Sequence, residues 1–170
     1  MPDLVIRRAT PNDAGELLAI YRPIVEETAI SFELECPTEA DFAGRIERAN
    51  ETYSWLVAET GSRLAGYAYG SQFRPREAYR SSVEVSAYVH SDFRGRGIGS
   101  VLYERLFEEL SDLGYFHAFG GITLPNPASV ALHESVGFAH IGTFPNVGFK
   151  FGQLHDVGWW YRKIQDGAPG

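Results

Sequence analysis

The alternation of apolar and polar residues changes its period once between positions 83 and 110. Apolar residues first occupy every second position from Val83 to Val89, with Glu84, Ser86 and Tyr88 between them, which is the period of a strand. Further on, apolar residues recur at steps of three and four, the period of a helix with one buried face, at Ile98, Val101, Leu102, Leu106 and Leu110. The pattern predicts a strand, a turn and a helix in succession.

The same two periods predict the remaining elements. Strands are predicted at 4–9, 55–59, 63–69, 83–89, 116–122, 139–144 and 156–164. Thr10, Pro11 and Asp13 form the start signal of the first helix. Helices are predicted at 11–25, 38–49, 98–110 and 126–136, and loops at 26–36, 70–80 and 145–154.

This order of elements predicts an α/β fold, with a mixed central sheet and helices on both of its faces. The length of 170 residues suits one domain with a proper core. We expect that domain to span 1–165, with 166–170 as a frayed tail. No internal repeat, linker or low-complexity segment interrupts the sequence.

Composition and charge disfavour several classes of protein. Hydrophobic residues make up 44% and charged residues 22%, as in an ordinary globular protein, and no apolar run approaches the ~20 residues that span a bilayer. The net charge of -7 disfavours nucleic acid as a partner. The single cysteine, Cys36, and the lack of a signal-peptide pattern fit a reducing compartment. We therefore expect a cytoplasmic location and no membrane partner.

The turn between the central strand and helix has the features of an anion site. Gly95, Gly97 and Gly99 stand at every second position, with Arg94 and Arg96 beside them. Unpaired N–H groups at a helix start point outward, the helix dipole favours negative charge, and glycines let the backbone approach a phosphate closely. The spacing does not fit the dinucleotide pattern Gly-x-Gly-x-x-Gly, and the turn lacks the lysine of a P-loop.

A second basic group precedes the central strand. Arg74, Arg76 and Arg80 fall within seven positions of an otherwise acidic chain. A local positive patch on an acidic protein indicates a small anionic ligand. The alternative is a solvated loop with no ligand.

The turn and a later segment resemble one family. Arg94-Gly95-Arg96-Gly97-Ile98-Gly99 is similar to Arg/Gln-x-x-Gly-x-Gly, the acetyl-CoA loop of the GNAT N-acetyltransferases. The segment Asn126-Pro127-Ala128-Ser129, followed by Leu132-His133-Glu134 and Gly137-Phe138, is similar to the family's Asn-x-x-Ala/Ser, Leu-Tyr/His and Gly-Phe pattern. The predicted order of elements is also the order of that family.

Further segments resemble the subgroup that acetylates phosphinothricin, methionine sulfoximine and methionine sulfone. They are Ile30-Ser31-Phe32-Glu33, the loop 74–80, the strand 84–89, Leu132-His133-Glu134, Gly148-Phe149-Lys150 and His155-Asp156-Val157-Gly158. The resemblance covers nearly the whole chain, and its acetyl-CoA motifs are more specific than its substrate motifs. Because the subgroup commonly forms homodimers, we expect a homodimer here.

The resemblance implies where acetyl-CoA binds. The pyrophosphate lies on the backbone of 95–100, the pantetheine arm pairs with 87–89, and these strand residues splay from the neighbouring strand. The N–H of Val89 polarises the thioester carbonyl, an oxyanion-hole role. Asn126 contacts the CoA arm, caps its helix, or does both. The implied cofactor residues are Ala87, Tyr88, Val89, Arg94, Gly95, Arg96, Gly97, Ile98, Gly99, Ser100, Asn126 and Ser129.

Glu84 is the predicted general base. It lies on an otherwise apolar strand, where burial raises a carboxyl pKa toward neutrality, and it shares a face with Ser86 and Tyr88. An amine is protonated at pH 7 and must lose a proton before it attacks. The alternative role for Glu84 is an ion pair with one of the arginines upstream.

The other candidate groups divide into functional and structural interpretations. His133, with Glu84 and Val89, completes the predicted catalytic set: it protonates the leaving thiolate, contacts CoA, or is a structural histidine. The five histidines show no ligand spacing, so no metal is predicted. Cys36 is interpreted as an incidental thiol, and Trp159 and Trp160 as core and interface residues.

The predicted acceptor site is built around the basic loop. Arg74 and Arg76 are expected to bind the carboxylate or oxyanion of a small amino acid, because the guanidinium fork matches such groups. Phe32, Phe73 and Tyr79 are expected to form the pocket walls. The predicted substrate residues are Phe32, Arg74, Pro75, Arg76, Glu84, Val85 and Ser86.

Together these residues predict an acetyl-CoA-dependent N-acetyltransferase. It acts on the α-amine of a small acidic amino acid or glutamate analogue, by direct attack in a ternary complex and without an acyl-enzyme. One alternative is an enzyme of the same fold that acts on a protein N-terminus or another amine, and the arginine cluster argues against a peptide acceptor. The other is a non-catalytic acyl-CoA-binding sensor, against which Glu84 and His133 argue.

Overall fold

The chain forms a seven-stranded sheet with four α-helices against it, in a computed structural model that describes residues 3–170. The strands are β1 (Leu4–Arg8), β2 (Trp55–Thr60), β3 (Arg63–Gln72), β4 (Ser82–Val89), β5 (His117–Leu124), β6 (Ala139–Lys150) and β7 (Gln153–Lys163). The helices are α1 (Ala14–Glu27), α2 (Glu39–Thr52), α3 (Ile98–Asp112) and α4 (Pro127–Ser135). Within residues 3–170, no helix has the length and apolar character that a membrane span needs.

The sheet is mixed and has the order β1-β2-β3-β4-β5-β7-β6. Neighbouring strands are antiparallel except β4 and β5, which are parallel. The alternation along β2 shows the two faces: Trp55 and Val57 point into the core beneath α1 and α2, while Leu56 and Ala58 point into the core beneath α3. The predicted mixed sheet with helices on both faces is confirmed.

Strands β4 and β5 separate soon after they pair. Their parallel ladder begins at Ser82 opposite His117 and ends at Glu84 opposite Phe119. On its other side, β4 continues to pair with β3 as far as Val89. A wedge-shaped gap therefore opens between β4 and β5, and residues 85–89 form one of its edges.

The predicted loop at 145–154 is wrong. Strand β6 continues to Lys150 and β7 begins at Gln153, so the two strands form a long hairpin. The pairing register shifts between Phe144 and Gly148, and this bulge interrupts the alternation that would have indicated a strand. The hairpin turn places Phe151 and Gly152 at positive φ, 53° and 71°.

Other predicted boundaries differ by a few residues at their ends. The first helix begins as a short 3-10 turn, Pro11–Asp13, in which the Thr10 N–H donates to Asp13 Oδ2 at 2.8 Å. Strand β3 continues into the predicted loop as far as Gln72. Residues 166–170 are exposed and belong to no helix or strand, while the domain limits at 1–165 stay a prediction.

Candidate active site

The glycine turn opens α3 with a backbone that other residues rarely adopt. Gly95 and Gly97 have φ of 73° and 77°, and Gly97 is the residue that precedes the first helical turn. The third glycine serves packing: a Cβ on Gly99 would lie 2.9 Å from Leu132 Cδ2 on α4. Because the first N–H groups of a helix have no partner within it, this turn presents free donors at the positive end of α3.

The gap between β4 and β5 contains a cavity of about 410 Å³, which we call the cleft cavity. One part of its wall comes from β4 and the glycine turn, and the opposite part from β5 and α4. Most of the predicted cofactor residues line it, namely Ala87, Tyr88, Val89, Arg94, Gly95, Gly97, Ile98, Gly99, Ser100, Asn126 and Ser129. Arg96 does not line the cavity, since its guanidinium lies over the Phe93 ring at 5.3 Å and is exposed.

The main chain of β4 directs some of its N–H groups into this gap. The His90 N–H donates to Ala65 O on the β3 side at 2.8 Å. Successive residues of a strand turn their N–H groups to opposite sides, so we infer that Val89, Ala87 and Val85 direct theirs toward the gap. The parallel partner that would accept these bonds has already diverged.

Asn126 caps α4 at the far wall of the cleft cavity. Its Oδ1 accepts a hydrogen bond from the Ser129 N–H at 3.2 Å, which satisfies one free donor of the helix. Asn126 also lines the cavity. Its capping role is therefore present in the structure, and its predicted contact with the CoA arm stays a prediction.

A second cavity of about 410 Å³ lies on the α1 face of the sheet, and we call it the hairpin cavity. Its walls include the loop after α1, the β4 side chains on the α1 face of the sheet, and the hairpin. Its lining residues are Ile30, Ser31, Phe32, Glu84, Ser86, Tyr88, Gly121, Thr123, Phe144, Val147, Val157 and Trp159. Five of these, Ile30, Ser86, Tyr88, Gly121 and Thr123, also line the cleft cavity, so the two cavities meet there.

Glu84 lines the hairpin cavity with its carboxylate unpaired. Within residues 3–170, neither a hydrogen bond nor an ion pair engages that carboxylate, so the structure does not contain the ion pair considered as its alternative role. Burial raises the pKa of Glu84, and the positive charge of Arg74 lowers it by a smaller amount. A half-buried carboxylate with a raised pKa and no partner suits a general base.

His133 is buried on α4 and has partners at both ring nitrogens. Its Nδ1 lies 2.7 Å from Ser129 O, a carbonyl that can only accept, so Nδ1 carries the proton. Its Nε2 then accepts from the Tyr103 hydroxyl at 3.1 Å. Burial lowers the pKa of His133, with a smaller opposing effect from the Ser129 backbone bond. The imidazole is therefore neutral, and its one proton is already engaged.

Arg74 of the basic loop lies beside the hairpin cavity but does not line it. The Arg74 guanidinium lies over Phe73 at 4.4 Å and over Trp159, a cavity residue, at 5.6 Å, and it donates to Phe73 O at 2.9 Å. Pro75 and Arg76 are exposed and do not line the cavity. The expected contact of Pro75 and Arg76 with an acceptor is not supported by this geometry.

Three residues expected at the acceptor site, Phe73, Tyr79 and Val85, do not line the hairpin cavity. Phe73 stacks on Phe119 at 4.3 Å and Tyr79 lies against Phe73, outside the cavity lining. Strand alternation turns Val85 away from Glu84, and it lines the cleft cavity and not the hairpin cavity, so its expected contact with an acceptor stays a prediction. Phe32 and Ser86 do line the hairpin cavity, as expected.

Sequence reasoning missed two aromatic residues of the site. Tyr103 lines the cleft cavity and bonds to His133, but on sequence it reads as one more apolar position of α3. The sequence pattern indicates a core or interface residue at Trp159. In the structure it lines the hairpin cavity next to Gly121, its pairing partner on β5. Its buried Nε1 has no hydrogen-bond partner within residues 3–170. Only the register of β5 and β7 places it there.

A parallel strand pair that splays beside a glycine-rich helix start, with a half-buried carboxylate next to the gap, is typical of an acyl-CoA-dependent acyltransferase site. The sequence pattern of the acetyltransferase (GNAT) domain matches residues 6–159. The chain belongs to the GNAT acetyltransferase family and is an N-acetyltransferase.

The chain is similar to relatives with assigned substrates. It is 36% identical to the phosphinothricin N-acetyltransferase of Streptomyces viridochromogenes, over 96% of this chain and 90% of that protein. It is also 36% identical to the L-methionine sulfoximine/L-methionine sulfone acetyltransferase of Pseudomonas aeruginosa, over 89% of this chain and 90% of that one.

Solved structures agree with the fold over nearly the whole chain. The phosphinothricin acetyltransferase of Sinorhizobium meliloti, in complex with acetyl-CoA, superposes with a TM-score of 0.92 at 33% identity, covering 98% of this chain and 93% of that one. A ribosomal-protein-alanine N-acetyltransferase from Brucella melitensis superposes with a TM-score of 0.91 at 38% identity, covering 94% and 99%.

Proposed function

We propose that this enzyme transfers acetyl from acetyl-CoA to the α-amine of a small glutamate-like amino acid, such as phosphinothricin, methionine sulfoximine or methionine sulfone. The observation that carries the proposal is the junction of two cavities beside Glu84. One cavity follows the anion turn and the splayed strand, and the other has aromatic residues in its walls and an arginine beside it. The names of the relatives point to the same acceptors.

Acetyl-CoA would occupy the cleft cavity. The free N–H groups of the glycine turn and the side chain of Arg94 would bind the pyrophosphate, and the unpaired edge of β4 would bind the pantetheine arm. The thioester must reach the junction of the two cavities. Ala87 lies between Ser86 and Tyr88, the two β4 residues common to both, so its N–H suits the carbonyl better than that of Val89.

The acceptor would occupy the hairpin cavity with its amine toward Glu84. The carboxylate removes one proton from the ammonium group, and the amine nitrogen then attacks the thioester carbonyl carbon. The carbon–sulfur bond breaks and the electron pair leaves with sulfur as a thiolate. The nitrogen then loses its second proton to become the neutral amide, and this proton neutralises the thiolate. No enzyme nucleophile is needed, so transfer is direct within a ternary complex.

The positive charge of Arg74 beside the hairpin cavity suits an anionic acceptor. A peptide acceptor would need an open groove, whereas the loop after α1 and the hairpin enclose the cavity on two sides.

His133 acts through Tyr103 in this proposal. Its only proton is donated to Ser129 O, so it cannot serve directly as the acid for the thiolate without breaking that bond. It accepts from the Tyr103 hydroxyl, which lines the cleft cavity, and thereby fixes the orientation of that hydroxyl. We assign His133 a positioning role.

The exposed face of the β6–β7 hairpin supports the expected homodimer. Large apolar side chains cluster on it with half or more of their surface in solvent, namely Val147, Phe149, Phe151 and Leu154, and Phe144 lies beside them at 47%. A monomer rarely exposes so many adjacent apolar side chains. A second copy of this chain, joined through the hairpin, would bury them.

The test is thiol release from acetyl-CoA against a panel of acceptors. The panel contains phosphinothricin, methionine sulfoximine, methionine sulfone, the common amino acids and one peptide with an N-terminal alanine. We expect rapid release with the first three and little with the peptide. Release with the peptide alone would favour a protein N-terminus, as the name of the Brucella structure suggests, and would contradict the proposed acceptor.

A further inference from the structure

Lys150 is a buried ammonium group in a chain with only two lysines. Just 3% of its surface is exposed, whereas the Lys163 side chain is 58% exposed and pairs with Asp166 at the surface. Burying an ammonium is costly unless its donors are bonded, so a buried lysine calls for a structural reason.

The Lys150 ammonium joins two carbonyls of another part of the chain. Its Nζ donates to Val25 O at 2.6 Å and to Ser31 O at 2.8 Å. Val25 lies in the last turn of α1, where carbonyls lack helical partners and the helix dipole is negative. Ser31 lies in the loop after α1, immediately before Phe32. The lysine therefore ties the end of the hairpin to that loop.

The residues around Lys150 complete the same connection. Gly148 lies against the Phe32 ring so closely that a Cβ would be 2.2 Å from Phe32 Cζ. Across the hairpin, the His155 Nε2–H donates to Lys150 O at 3.1 Å. These residues belong to the segments 148–150 and 155–158, to which the proposed chemistry assigns no role.

The loop after α1 is also held from its other side. Glu33 accepts two hydrogen bonds from Arg45 at 2.9 and 2.5 Å, and a further one from the Tyr21 hydroxyl. Tyr21 also bonds to Ser31 Oγ at 2.7 Å. With the loop fixed to α2 in this way, Lys150 sets the distance between the loop and the hairpin.

We propose that Lys150 is a positioning residue for acceptor binding, which holds the Ser31–Phe32 wall of the hairpin cavity against the hairpin wall. Ser31 and Phe32 form one side of that cavity, and Phe144 and Val147 the other. The proposal rests on the proposed function, because it takes the hairpin cavity as the acceptor site. Lys150 contacts neither reactant; it acts through the two carbonyls.

The test compares Lys150→Met with Lys163→Met, a matched change at the exposed lysine. We expect Lys150→Met to raise the KM for phosphinothricin about tenfold, with the KM for acetyl-CoA changed less than about twofold, because the wall loses two charge-assisted hydrogen bonds. Amide hydrogen exchange in 28–34 should quicken at least about tenfold while exchange in α3 is unchanged. Lys163→Met should leave both KM values and the exchange rates in 28–34 and α3 at wild-type levels. Lys150→Arg should raise the KM for phosphinothricin less than Lys150→Met does.

An equal rise in both KM values, or unchanged exchange in 28–34, would overturn the proposal. If Lys150→Met does not fold, Lys150→Gln replaces it: the shorter, neutral amide loses the two charge-assisted bonds, and the same selective rise in acceptor KM is expected. The exchange measurement needs no turnover. If the wild-type enzyme does not acetylate phosphinothricin but exchange in 28–34 is faster in Lys150→Met, the proposed acceptor is rejected. The role of Lys150 in holding the loop after α1 against the hairpin is then still supported.

Discussion

Glu84 owes its proposed chemistry to two properties of one position. The strand alternation turns it out of the aliphatic core and into the hairpin cavity, and the neighbouring side chains leave its carboxylate without a partner. Burial raises its pKa and Arg74 lowers it by less, so the group is a stronger base than an exposed glutamate. Its proximity to the cavity junction would place this carboxylate beside the amine of an acceptor in the hairpin cavity.

Glu84→Gln should abolish most of the activity without weakening cofactor binding. We expect kcat/KM for the acceptor to fall about 10²–10³-fold, in the usual range for loss of a general base, while the Kd for acetyl-CoA by calorimetry is unchanged. The acid limb of the pH profile of wild-type kcat/KM reflects protonation of Glu84 and should disappear in the variant. Near-normal turnover would rule out the base.

Loss of activity in that variant should not come from unfolding. Because the pKa of Glu84 is raised in the folded state, the folded state binds a proton more tightly than the unfolded state does. The free energy of unfolding therefore falls as the pH rises from the pKa of the unfolded chain through the pKa of the folded one. The neutral Gln side chain avoids that cost, so the variant should melt at or above the wild-type temperature near pH 8. A clear drop in Tm would instead indicate a structural role.

Arg74→Met should separate acceptor binding from cofactor binding. Removing a guanidinium beside the hairpin cavity should raise the KM for an anionic amino acid about tenfold or more and leave that for acetyl-CoA unchanged. Since Arg74 lowers the pKa of Glu84, the acid limb should also move to higher pH. Arg80→Met, an exposed change in the same loop, is the control. Equal effects on both reactants would remove Arg74 from the acceptor site.

Among the elements, α3 and its glycine turn are central to the proposed cofactor site. The helix is anchored by a fully buried face, including Leu102, Leu106 and Leu110, so its first turn is held rigidly beside β4. The turn itself depends on positive φ at Gly95 and Gly97, which have no contacts that a Cβ would disturb. Glycine is therefore favoured at these two positions because of the backbone conformation and not because a side chain would clash.

Gly97→Ala should weaken acetyl-CoA binding through the backbone. Holding alanine at φ 77° costs about 1–2 kcal/mol, and relaxation of the turn would move the free N–H groups that bind phosphate. Gly61→Ala is a matched control, because Gly61 has φ 62° and open space but lies in the turn between β2 and β3. We expect similar losses of Tm in both variants and a higher Kd for acetyl-CoA in Gly97→Ala alone. Equal Kd values would show that the turn tolerates the change.

At the scale of the whole molecule, the helices cover the two faces of the sheet to different extents. Helices α3 and α4 cover one face, whereas on the other α1 and α2 leave the β5–β7 side open to the hairpin cavity. The hairpin exposes several of its large apolar side chains to solvent. An association through this face would also surround the acceptor site.

The expected homodimer should depend on the hairpin. Light scattering should give twice the chain mass of 18.9 kDa for the wild type. Phe149→Asp combined with Phe151→Asp should yield a monomer, because burying two unpaired carboxylates costs more than the interface gains. Leu113→Asp changes an apolar residue that is 49% exposed at the end of α3, away from the hairpin, and should stay dimeric. A monomeric wild type would contradict the proposal.

Local features of the site were predictable because each has a local cause. A glycine turn before an amphipathic helix indicates an anion site, and Asn126 before Pro127 indicates a capped helix; both lie where expected. Long-range geometry was not predictable. The roles of Trp159 and Lys150 depend on register and on a hairpin whose bulge hid its alternation, and the partner of His133 lies 30 residues away on another helix.

The sequence by itself determined the order of elements, the glycine turn and the carboxylate on the central strand, since periodicity and backbone preference act over a few neighbouring residues. Only the tertiary structure decided which faces meet. It separated Val85 from Glu84, placed Ala87 between the two β4 residues common to both cavities and left Arg76 outside the hairpin cavity. Strand divergence, cavity walls and buried partners come from residues far apart in the chain, and packing them together fixes the distances on which acceptor binding depends.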